Sequence, residues 1–382
     1  MSSKGREPLP DIVYAKLTKA RKAIGLTLKQ VSQNTELPVS TLSDIENAKR
    51  RVSAVELYRL AQLYHRPLDF FFEQNITNTS FGILFRAAAL EDPPVSNRTI
   101  IEFHELCRNY KDLMTTIGAP KMPSVPDYSS SELTTHEQAE ELAETERSQL
   151  GLNGQPIKDI NELLESKRGA KIFNLPEDPD IFSGAFACDE ELGPCFLINS
   201  LQPRLRRTFS IAHEYAHCLA HRNQLAHIDT HTIFDTTKPR ERFANAFAAA
   251  FLMPKRSVNE VLSQLIYRQR KTISFEVVIR LAVYFGVSFE AAGWRLVSLK
   301  RLPRLLWDEI RNETVTSSPT ASLLGYSNEV DHPDKLPQHY KYLAYKVYME
   351  NLISFERLAE LLRRNYYELR EEFYRARKEG NE

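Results

Sequence analysis

The sequence is poor in the features that mark secreted and membrane proteins. No uninterrupted apolar run is long enough to span a bilayer, and the first residues, MSSKGREPLPD, lack the apolar core of a signal peptide. The four cysteines are scattered without a CxxC pair, which argues against a disulfide framework and favours reduced, buried thiols. We therefore expect a cytoplasmic protein that has no membrane partner.

The sequence also lacks an excess of charge of either sign. Lys plus Arg and Asp plus Glu each number 50, so the formal net charge is zero. Without an overall positive field, any binding to nucleic acid must depend on a local group of basic residues. What the chain does have is length, because 382 residues of ordinary globular composition are enough for two or three domains.

The most informative stretch is RRTFSIAHEYAHCLAH at 206–221, which contains an H-E-x-x-H motif. Its flanking residues are largely apolar and include no Gly or Pro, which predicts a buried helix. In a helix, His213 and His217 lie one turn apart on the same side, where two neutral imidazoles can bind one zinc ion. Glu214 lies beside them, placed to take a proton from a water on the zinc. The alternative is a helix that carries two surface histidines.

A second helix is predicted at 240–253, before Pro254. Phenylalanines recur on it at every fourth residue and predict its buried face, while Glu241 and Asn245 recur at the same interval on the opposite face. A zinc hydrolase needs a third protein ligand and an open fourth position. We predict that Glu241 is this ligand. Asn245, one turn later, is predicted to lie behind the ligands and to orient them.

Other side chains compete with Glu241 for the role of third ligand. His221 continues the face of the two motif histidines by another helical turn, so it is predicted to support the site rather than to bind the metal. The remaining candidates fall in a predicted loop and are weaker: His227, Asp229, His231 and Asp235.

These two stretches resemble a known family. RRTFSIAHEYAHCLAHR followed by ERFANAFAAAFLMP looks like the ImmA/IrrE zinc metallopeptidases, whose usual pattern is RRFTLAHELGHxLLH followed by ExxANxFAAxLLMP. The resemblance covers about 138–300 and implies that His213, His217 and Glu241 are zinc ligands and that Glu214 is the catalytic base. Tyr-Ala stands between Glu and His where the family often has Leu-Gly, but these are not ligand positions.

Residues 11–75 are predicted to form a small helical domain. Thr27 to Gln30 has the pattern of a capping box that starts a short helix, and Pro38 starts another helix after a sharp turn. Such a pair within a bundle is a helix-turn-helix. The stretch GLTLKQVSQNTELPVSTLSDIENAKR also resembles the Cro/repressor-type (XRE) family, whose usual pattern is GLTQEELAEKLGVSRSTLSRIENGKR. The resemblance implies binding to double-stranded DNA.

The chain departs from the XRE pattern at positions that bear on DNA binding. Glu36 and Ala48 replace two glycines, Leu28 replaces a Gln that often contacts DNA, and Asp44 stands where Arg is common and would repel phosphate. The candidate DNA contacts lie on the second helix and just after it: Ser40, Thr41, Ser43, Lys49, Arg50 and Arg51. A helix-turn-helix kept as a docking or dimerisation module is the alternative.

The predicted fold class is α+β, mostly helical. We expect a helix-turn-helix domain at 11–75, a helical connector with a Pro/Ser-rich linker at 76–131, a zincin-like peptidase domain at 132–300 and a C-terminal helical region at 301–382. The peptidase domain is predicted to hold a small sheet of three strands: 171–175, 184–188 and 195–199. The edge of this sheet is expected to pair with an extended substrate backbone, although a sheet that only covers the zinc helix is the alternative.

The sequence therefore predicts a Zn²⁺-dependent endopeptidase with a fused helix-turn-helix. Its expected substrate is a transcriptional repressor or similar regulator, cleaved in a stress or mobile-element response. The alternative is a DNA-binding transcriptional regulator, or an antitoxin-like protein, that uses the peptidase fold as a sensor or dimerisation scaffold. The expected partners are a protein substrate and, through the helix-turn-helix, duplex DNA, and the sequence is compatible with a homodimer.

Overall fold

The structure is a computed structural model, and it describes residues 11–35, 37–64, 66, 71, 97–120, 125–129, 133–178, 182–189, 191–222, 227–229, 238–269, 272–312, 319–323, 325–327, 329 and 331–379. The N-terminal unit consists of four helices: Asp11–Ala23 (α1), Leu28–Thr35 (α2), Val39–Glu46 (α3) and Ala54–Leu63 (α4).

The N-terminal helices share one small apolar core. Val31 of α2, Leu42 of α3 and Leu60 of α4 are buried in it. The predicted capping contacts are present at the start of α2, where the backbone N–H of Thr27 donates to the Gln30 side chain at 2.8 Å. Since α3 follows α2 after a short turn within this bundle, the prediction of a helix-turn-helix is confirmed.

The remaining described elements are helices around a small sheet. The first of these elements are Asn97–Thr116 (α5), His136–Gln149 (α6), Ile160–Arg168 (α7), Lys171–Leu175 (β1) and Gly184–Asp189 (β2). The next elements are Gly193–Asn199 (β3), Arg204–Ala220 (α8), His227–Asp229 (β4), Pro239–Leu252 (α9) and Lys255–Gln269 (α10). The chain continues through Phe275–Phe285 (α11), Phe289–Ser298 (α12), Arg304–Arg311 (α13) and Pro319–Leu323 (α14). The last helices are Gln338–Met349 (α15), Phe355–Leu361 (α16) and Tyr366–Glu379 (α17).

The sheet has the strand order β1-β3-β2-β4. β1 runs parallel to β3, while β2 is antiparallel to both β3 and β4. The three predicted strands are present, and the turn between β2 and β3 ends at Gly193, whose φ of 81° suits glycine. β4 lies where the sequence predicted a loop, so that prediction was wrong. A strand of three residues is too short to produce a recognisable alternation.

The strands bury both faces of the sheet. Ile172 of β1 and Phe196 of β3 belong to a core that contains α6, α8, α9 and α11, whereas Phe173 and Leu197 belong to a second core on the other face. Successive side chains of a strand point to opposite faces, so neighbouring residues enter different cores. The sheet is therefore the middle layer between two layers of helices.

The second core joins stretches that the sequence assigned to different domains. It contains residues of α5, from the predicted connector, and of α15 to α17, from the predicted C-terminal region. Tyr110 of α5 and Tyr340 of α15 both contact Phe173 of β1. The predicted boundaries at 131 and 300 therefore divide stretches that pack on one sheet.

Two stretches outside the helices and strands are anchored where the structure describes them. In the predicted Pro/Ser-rich linker, the backbone N–H of Tyr128 donates to the carbonyl of Leu219 at 2.9 Å, and Arg222 bonds the carbonyl of Pro126. Farther on, Asp331 pairs with Arg207 at the start of α8. These polar contacts fix both stretches to the helix that carries the motif. Residues 76–96 of the predicted connector lie outside the described residues.

Among the helices of the described ranges, none is both long enough and apolar enough to cross a membrane.

Candidate metal centre

The H-E-x-x-H motif lies in the middle of α8. The helix is uninterrupted by Gly or Pro, and nearly all of its side chains from Phe209 to Ala220 are buried against the sheet and α9. His213 is 1% exposed and His217 is not exposed at all. The alternative of two surface histidines is therefore excluded.

The predicted third ligand comes from the first turn of α9. Pro239 occupies the first position of this helix, which suits its fixed φ, and Glu241 follows two residues later. α8 and α9 pack against each other, which brings the buried Glu241 carboxylate to the two imidazoles. Its oxygens lie 3.2 Å from His213 Nε2 and 3.6 Å from His217 Nε2, and the two Nε2 atoms are 3.1 Å apart.

These three donors fit a zinc ion. Zinc bonds to imidazole nitrogen and carboxylate oxygen are about 2.0–2.2 Å, so a tetrahedral site holds its donors about 3.3–3.5 Å apart. The observed separations of 3.1, 3.2 and 3.6 Å centre on this value. Two neutral nitrogens and one carboxylate also form a ligand set common in catalytic zinc sites, where a fourth position stays open. The donor chemistry and the spacing therefore agree.

Hydrogen bonds behind the histidines select the tautomers that a metal requires. The carbonyl oxygen of Leu133 can only accept, so His221 Nε2 donates to it at 3.0 Å, and His221 Nδ1 is then left as an acceptor if the ring is neutral. His217 Nδ1 lies 3.0 Å from His221 Nδ1 and must donate to it. The proton of His217 is thus on Nδ1, and its Nε2 presents a lone pair to the centre. His221 thus contacts His217 on the side away from Nε2 and is not one of the three clustered donors.

Asn245 performs the same task for His213. Its side-chain oxygen lies 2.9 Å from His213 Nδ1 and accepts the proton there, which leaves Nε2 of His213 with a lone pair. The sequence predicted a supporting role for Asn245 but did not assign its partner. The structure pairs it with the histidine of the other helix rather than with Glu241 of its own helix.

Glu214 lies beneath β2, on the sheet side of α8. It is buried, and a Cβ atom added to Gly184 would come within 3.1 Å of Glu214 Cγ and 3.2 Å of Glu214 Oε1. A side chain at 184 would therefore displace the carboxylate. On the same strand, the ring of Phe186 stacks parallel to His217 with centroids 6.3 Å apart. Sequence reasoning missed Gly184, although an isolated glycine in a strand often marks a close approach of this kind.

Tyr215, one of the two departures from the family pattern, has partners of its own. Its hydroxyl donates to Glu146 of α6 at 2.5 Å, and Arg168 contacts both groups. Glu146 is fully buried, so the arginine and the phenol satisfy a carboxylate that would otherwise be costly inside the core. Burial, followed by the neighbouring Glu146, raises the pKa of Tyr215 and keeps the phenol protonated. The replacement of leucine by tyrosine thus ties α8 to α6.

Of the rival ligands, His221 has a described side chain, and it lies outside the cluster of three donors. His221 contacts the ring of His217 through Nδ1, and the cluster of possible metal ligands among the described residues consists of His213, His217 and Glu241. His227 and Asp229 belong to β4, while His231 and Asp235 fall outside the described residues.

The candidate DNA contacts lie around the end of α3. Ser40, Lys49, Arg50 and Arg51 are exposed, while Thr41 and Ser43 are half-buried. Arg50 forms an ion pair with Glu56 at 2.9 Å, so part of its charge is neutralised. α3 ends in a Schellman motif, in which Lys49 N–H bonds the Asp44 carbonyl and Ala48 N–H bonds the Ile45 carbonyl. Glu36 lies outside the described residues.

Comparison with known proteins agrees with this architecture. Residues 167–297 match the family described as IrrE N-terminal-like domain, peptidase M78, and residues 17–71 match the family described as helix-turn-helix. None of the curated proteins matches this chain. The first family supports a metallopeptidase-type enzyme and implies a metal cofactor, for which the His213, His217 and Glu241 cluster offers donors. Residues 167–297 are therefore similar to an IrrE N-terminal-like domain of the peptidase M78 type, and residues 17–71 are similar to a helix-turn-helix domain.

Proposed function

We propose that the protein is a zinc-dependent endopeptidase of the HExxH, gluzincin-like type that cleaves a transcriptional repressor or similar regulator. The observation that carries the proposal is the buried cluster of His213, His217 and Glu241, with Glu214 next to it on α8. Two nitrogens and a carboxylate at zinc-like spacing favour Zn²⁺ over Mg²⁺ or Ca²⁺, which prefer sites made of oxygen donors alone.

Each residue then has a separate task. His213, His217 and Glu241 would hold the ion, and Asn245 and His221 keep the two imidazoles in the tautomers that bind it. When bound, zinc would supply Lewis acidity, which lowers the pKa of a water and polarises a scissile carbonyl.

Glu214 is the general base in this proposal. It takes a proton from the attacking water and later delivers a proton to the leaving amine. Its burial beneath β2, against Gly184, confines the carboxylate to one place beside the ligands. Because β4 forms the outer edge of the sheet next to β2, an extended substrate can add to that edge by backbone hydrogen bonds.

The first test compares Glu214→Gln with His217→Ala. Purified full-length protein is incubated with repressors encoded near its gene, and fragments are identified by mass spectrometry. Glu214→Gln should keep about one zinc per chain and lose cleavage by about a hundred- to ten-thousand-fold, because it removes only the general base. His217→Ala should lose both zinc and cleavage. Near-normal cleavage by Glu214→Gln would rule out this mechanism.

The helix-turn-helix favours a second role in transcription. It supports binding to duplex DNA, with Lys49, Arg50 and Arg51 as phosphate contacts and Ser40, Thr41 and Ser43 on the surface of α3. In one version the peptidase regulates this DNA-bound role. In the other, a DNA-binding regulator or antitoxin-like protein uses the peptidase fold as a sensor or dimerisation scaffold.

Two measurements separate these versions. Binding of the full chain to its own promoter should weaken steeply with salt, and Lys49→Gln should reduce that salt dependence if Lys49 contacts phosphate. Binding that is insensitive to salt would instead favour a protein-docking role for the domain. Loss of the transcriptional response in Glu214→Gln, with DNA binding unchanged, would show that the response needs peptidase chemistry and would exclude the scaffold version.

A further inference from the structure

A large cavity adjoins the metal centre on the side of α9 and α12. Its volume is about 1310 Å³, and Phe209 of α8 and Asn245 of α9 form part of its wall. Asn245 also holds the ligand His213, so the cavity begins directly behind the proposed metal ligands. It extends to Trp294 of α12 and to α13. The cavity is larger than the roughly 300–1,000 Å³ of typical small-molecule pockets, a size that suits a stretch of polypeptide.

The wall of this cavity is strongly basic. Its charged residues are Arg206, Arg242, Arg295, Arg304 and Arg311, with Glu290 as the acidic member. Arg295 already has partners within the protein, because it pairs with Glu140 and donates to the Met253 carbonyl at 2.9 Å. The other four arginines leave an excess of positive charge.

Two of these arginines lie on the same helices as the proposed metal ligands. Arg242 directly follows Glu241, and Arg206 lies seven residues before His213, which is two turns and about 10 Å along α8. Within the described residues neither forms an ion pair, and the Nε atom of Arg206 is buried without a hydrogen-bond partner. Neither guanidinium is therefore neutralised by a described carboxylate, so a ligand that supplies carboxylates would form charge-assisted hydrogen bonds with them.

At the far end of the cavity, arginines lie next to an aromatic ring. The guanidinium groups of Arg304 and Arg311 lie 5.8 and 5.9 Å from the centroid of the Trp294 ring, and both arginines share Asp308 as a salt-bridge partner. One carboxylate between two arginines leaves net positive charge there as well. The cavity therefore offers positive charge at both ends, with apolar surface from Phe209 and Trp294 between them.

We infer that this cavity binds an acidic segment of the polypeptide substrate, so that the peptidase selects regulators with Asp or Glu beside the scissile bond. The inference rests on the proposed function, because Asn245, which lines the cavity and bonds the proposed ligand His213, is what links the cavity to the peptidase site and identifies the occupant as a polypeptide. Arg206 and Arg242 receive the carboxylates nearest the scissile bond, and the surface at Trp294 receives the more distant residues. These two arginines determine specificity and bind substrate side chains rather than reacting atoms.

Peptide binding to the full-length Glu214→Gln protein tests the inference without turnover. The probes are a labelled octapeptide with three glutamates among alanines and the same peptide with glutamines, followed by fluorescence anisotropy. The acidic peptide should bind about tenfold more tightly, and its advantage should shrink as salt increases. Arg206→Gln and Arg242→Gln should each weaken the acidic peptide by about three- to tenfold and leave the glutamine peptide unchanged.

The matched control is Arg256→Gln, which removes a positive charge from an arginine side chain that is 90% exposed on α10. It should change neither affinity. Equal binding of the two peptides, or an equal loss in Arg256→Gln, would overturn the inference. Arg242 is exposed, so its variant remains informative if Arg206→Gln does not fold.

Three further outcomes separate a failure of the inference from a failure of the proposed function. A single-stranded oligonucleotide that binds in place of the acidic peptide, and loses affinity in the same two variants, would make the cavity a phosphate site and overturn the assignment. Cleavage of a regulator without any preference for acidic peptides would refute the inference and leave the proposed function intact. Normal cleavage by Glu214→Gln would refute the proposed function whatever the peptides do.

Discussion

Replacing Asn245 with leucine tests whether the residues behind the ligands control metal binding. Leucine has a similar size but no acceptor, so the change removes the 2.9 Å hydrogen bond to His213 Nδ1 and little else. The proton of His213 is then free to move to Nε2, the atom that faces His217 and Glu241. Each molecule with the proton on Nε2 lacks one metal donor.

The expected loss follows from the position of Asn245. It contacts a ligand without being one, and removal of such a partner typically weakens metal affinity by about 10- to 100-fold, which corresponds to about 1.4–2.7 kcal/mol. The loss should be smaller than that of His213→Ala, which deletes a donor outright. Asn245→Asp keeps an acceptor at the same place, so it should bind zinc at least as tightly as the original protein.

Competition for zinc against a chromophoric chelator measures these affinities on the full chain. Asn259→Leu is the control, because Asn259 bonds Arg301 at 2.8 Å on the exposed surface of α10, outside the cluster of metal ligands. Thermal unfolding of the metal-free proteins shows whether the leucine variant is folded. If folded Asn245→Leu binds zinc as tightly as the original protein, the tautomer argument is wrong and Asn245 is a packing residue.

Two further predictions concern stability. Ala48 has a φ of 55°, a left-handed conformation that suits glycine and strains alanine. Ala48→Gly should therefore raise the free energy of unfolding of the helix-turn-helix, measured in urea, by up to about 1 kcal/mol. A lower free energy of unfolding in the variant would show that Ala48 is not strained. Burial raises the pKa of Glu165 to about 7, so its contribution to stability is full below about pH 4.5 and is lost as the pH rises through 7. The free energy of unfolding should fall by roughly 1–3 kcal/mol between pH 5 and 8, and Glu165→Gln should remove this pH dependence. An unchanged pH dependence in the variant would refute the assignment of the fall to Glu165.

The parts of the site that lie close together in sequence could be predicted. His213, Glu214 and His217 share one helix, so a four-residue interval and apolar flanks were enough to place them. Glu241 could be predicted because a zinc hydrolase needs a third protein ligand, and this carboxylate lies opposite the phenylalanine stripe of the next predicted helix. The three central strands were predictable for a similar reason, since short apolar runs between turn residues suit strands buried on both faces.

The parts that depend on distant contacts could not be predicted. The bond between His221 and the Leu133 carbonyl joins positions 88 residues apart, and no periodicity encodes it. The approach of Gly184 to Glu214 depends on how α8 lies under β2. The packing of α5 and α15–α17 on the far face of the sheet could not be inferred either, because an amphipathic helix reveals that it has a buried face but not which surface covers it.

The position of Glu241 relative to the histidines depends on such distant contacts. α9 supplies Glu241 at its N-terminus, and two buried arginines fix its other end: Arg147 donates to the Phe251 carbonyl at 2.6 Å, and Arg295 to the Met253 carbonyl at 2.9 Å. Positive charge at a helix C-terminus complements the carbonyls that the helix leaves unpaired. Both arginines also bind other elements, so α9 cannot slide along α8 without breaking buried hydrogen bonds. The motif thus specifies which atoms can bind metal, whereas arginines that are absent from the motif fix the C-terminal end of the helix that supplies Glu241.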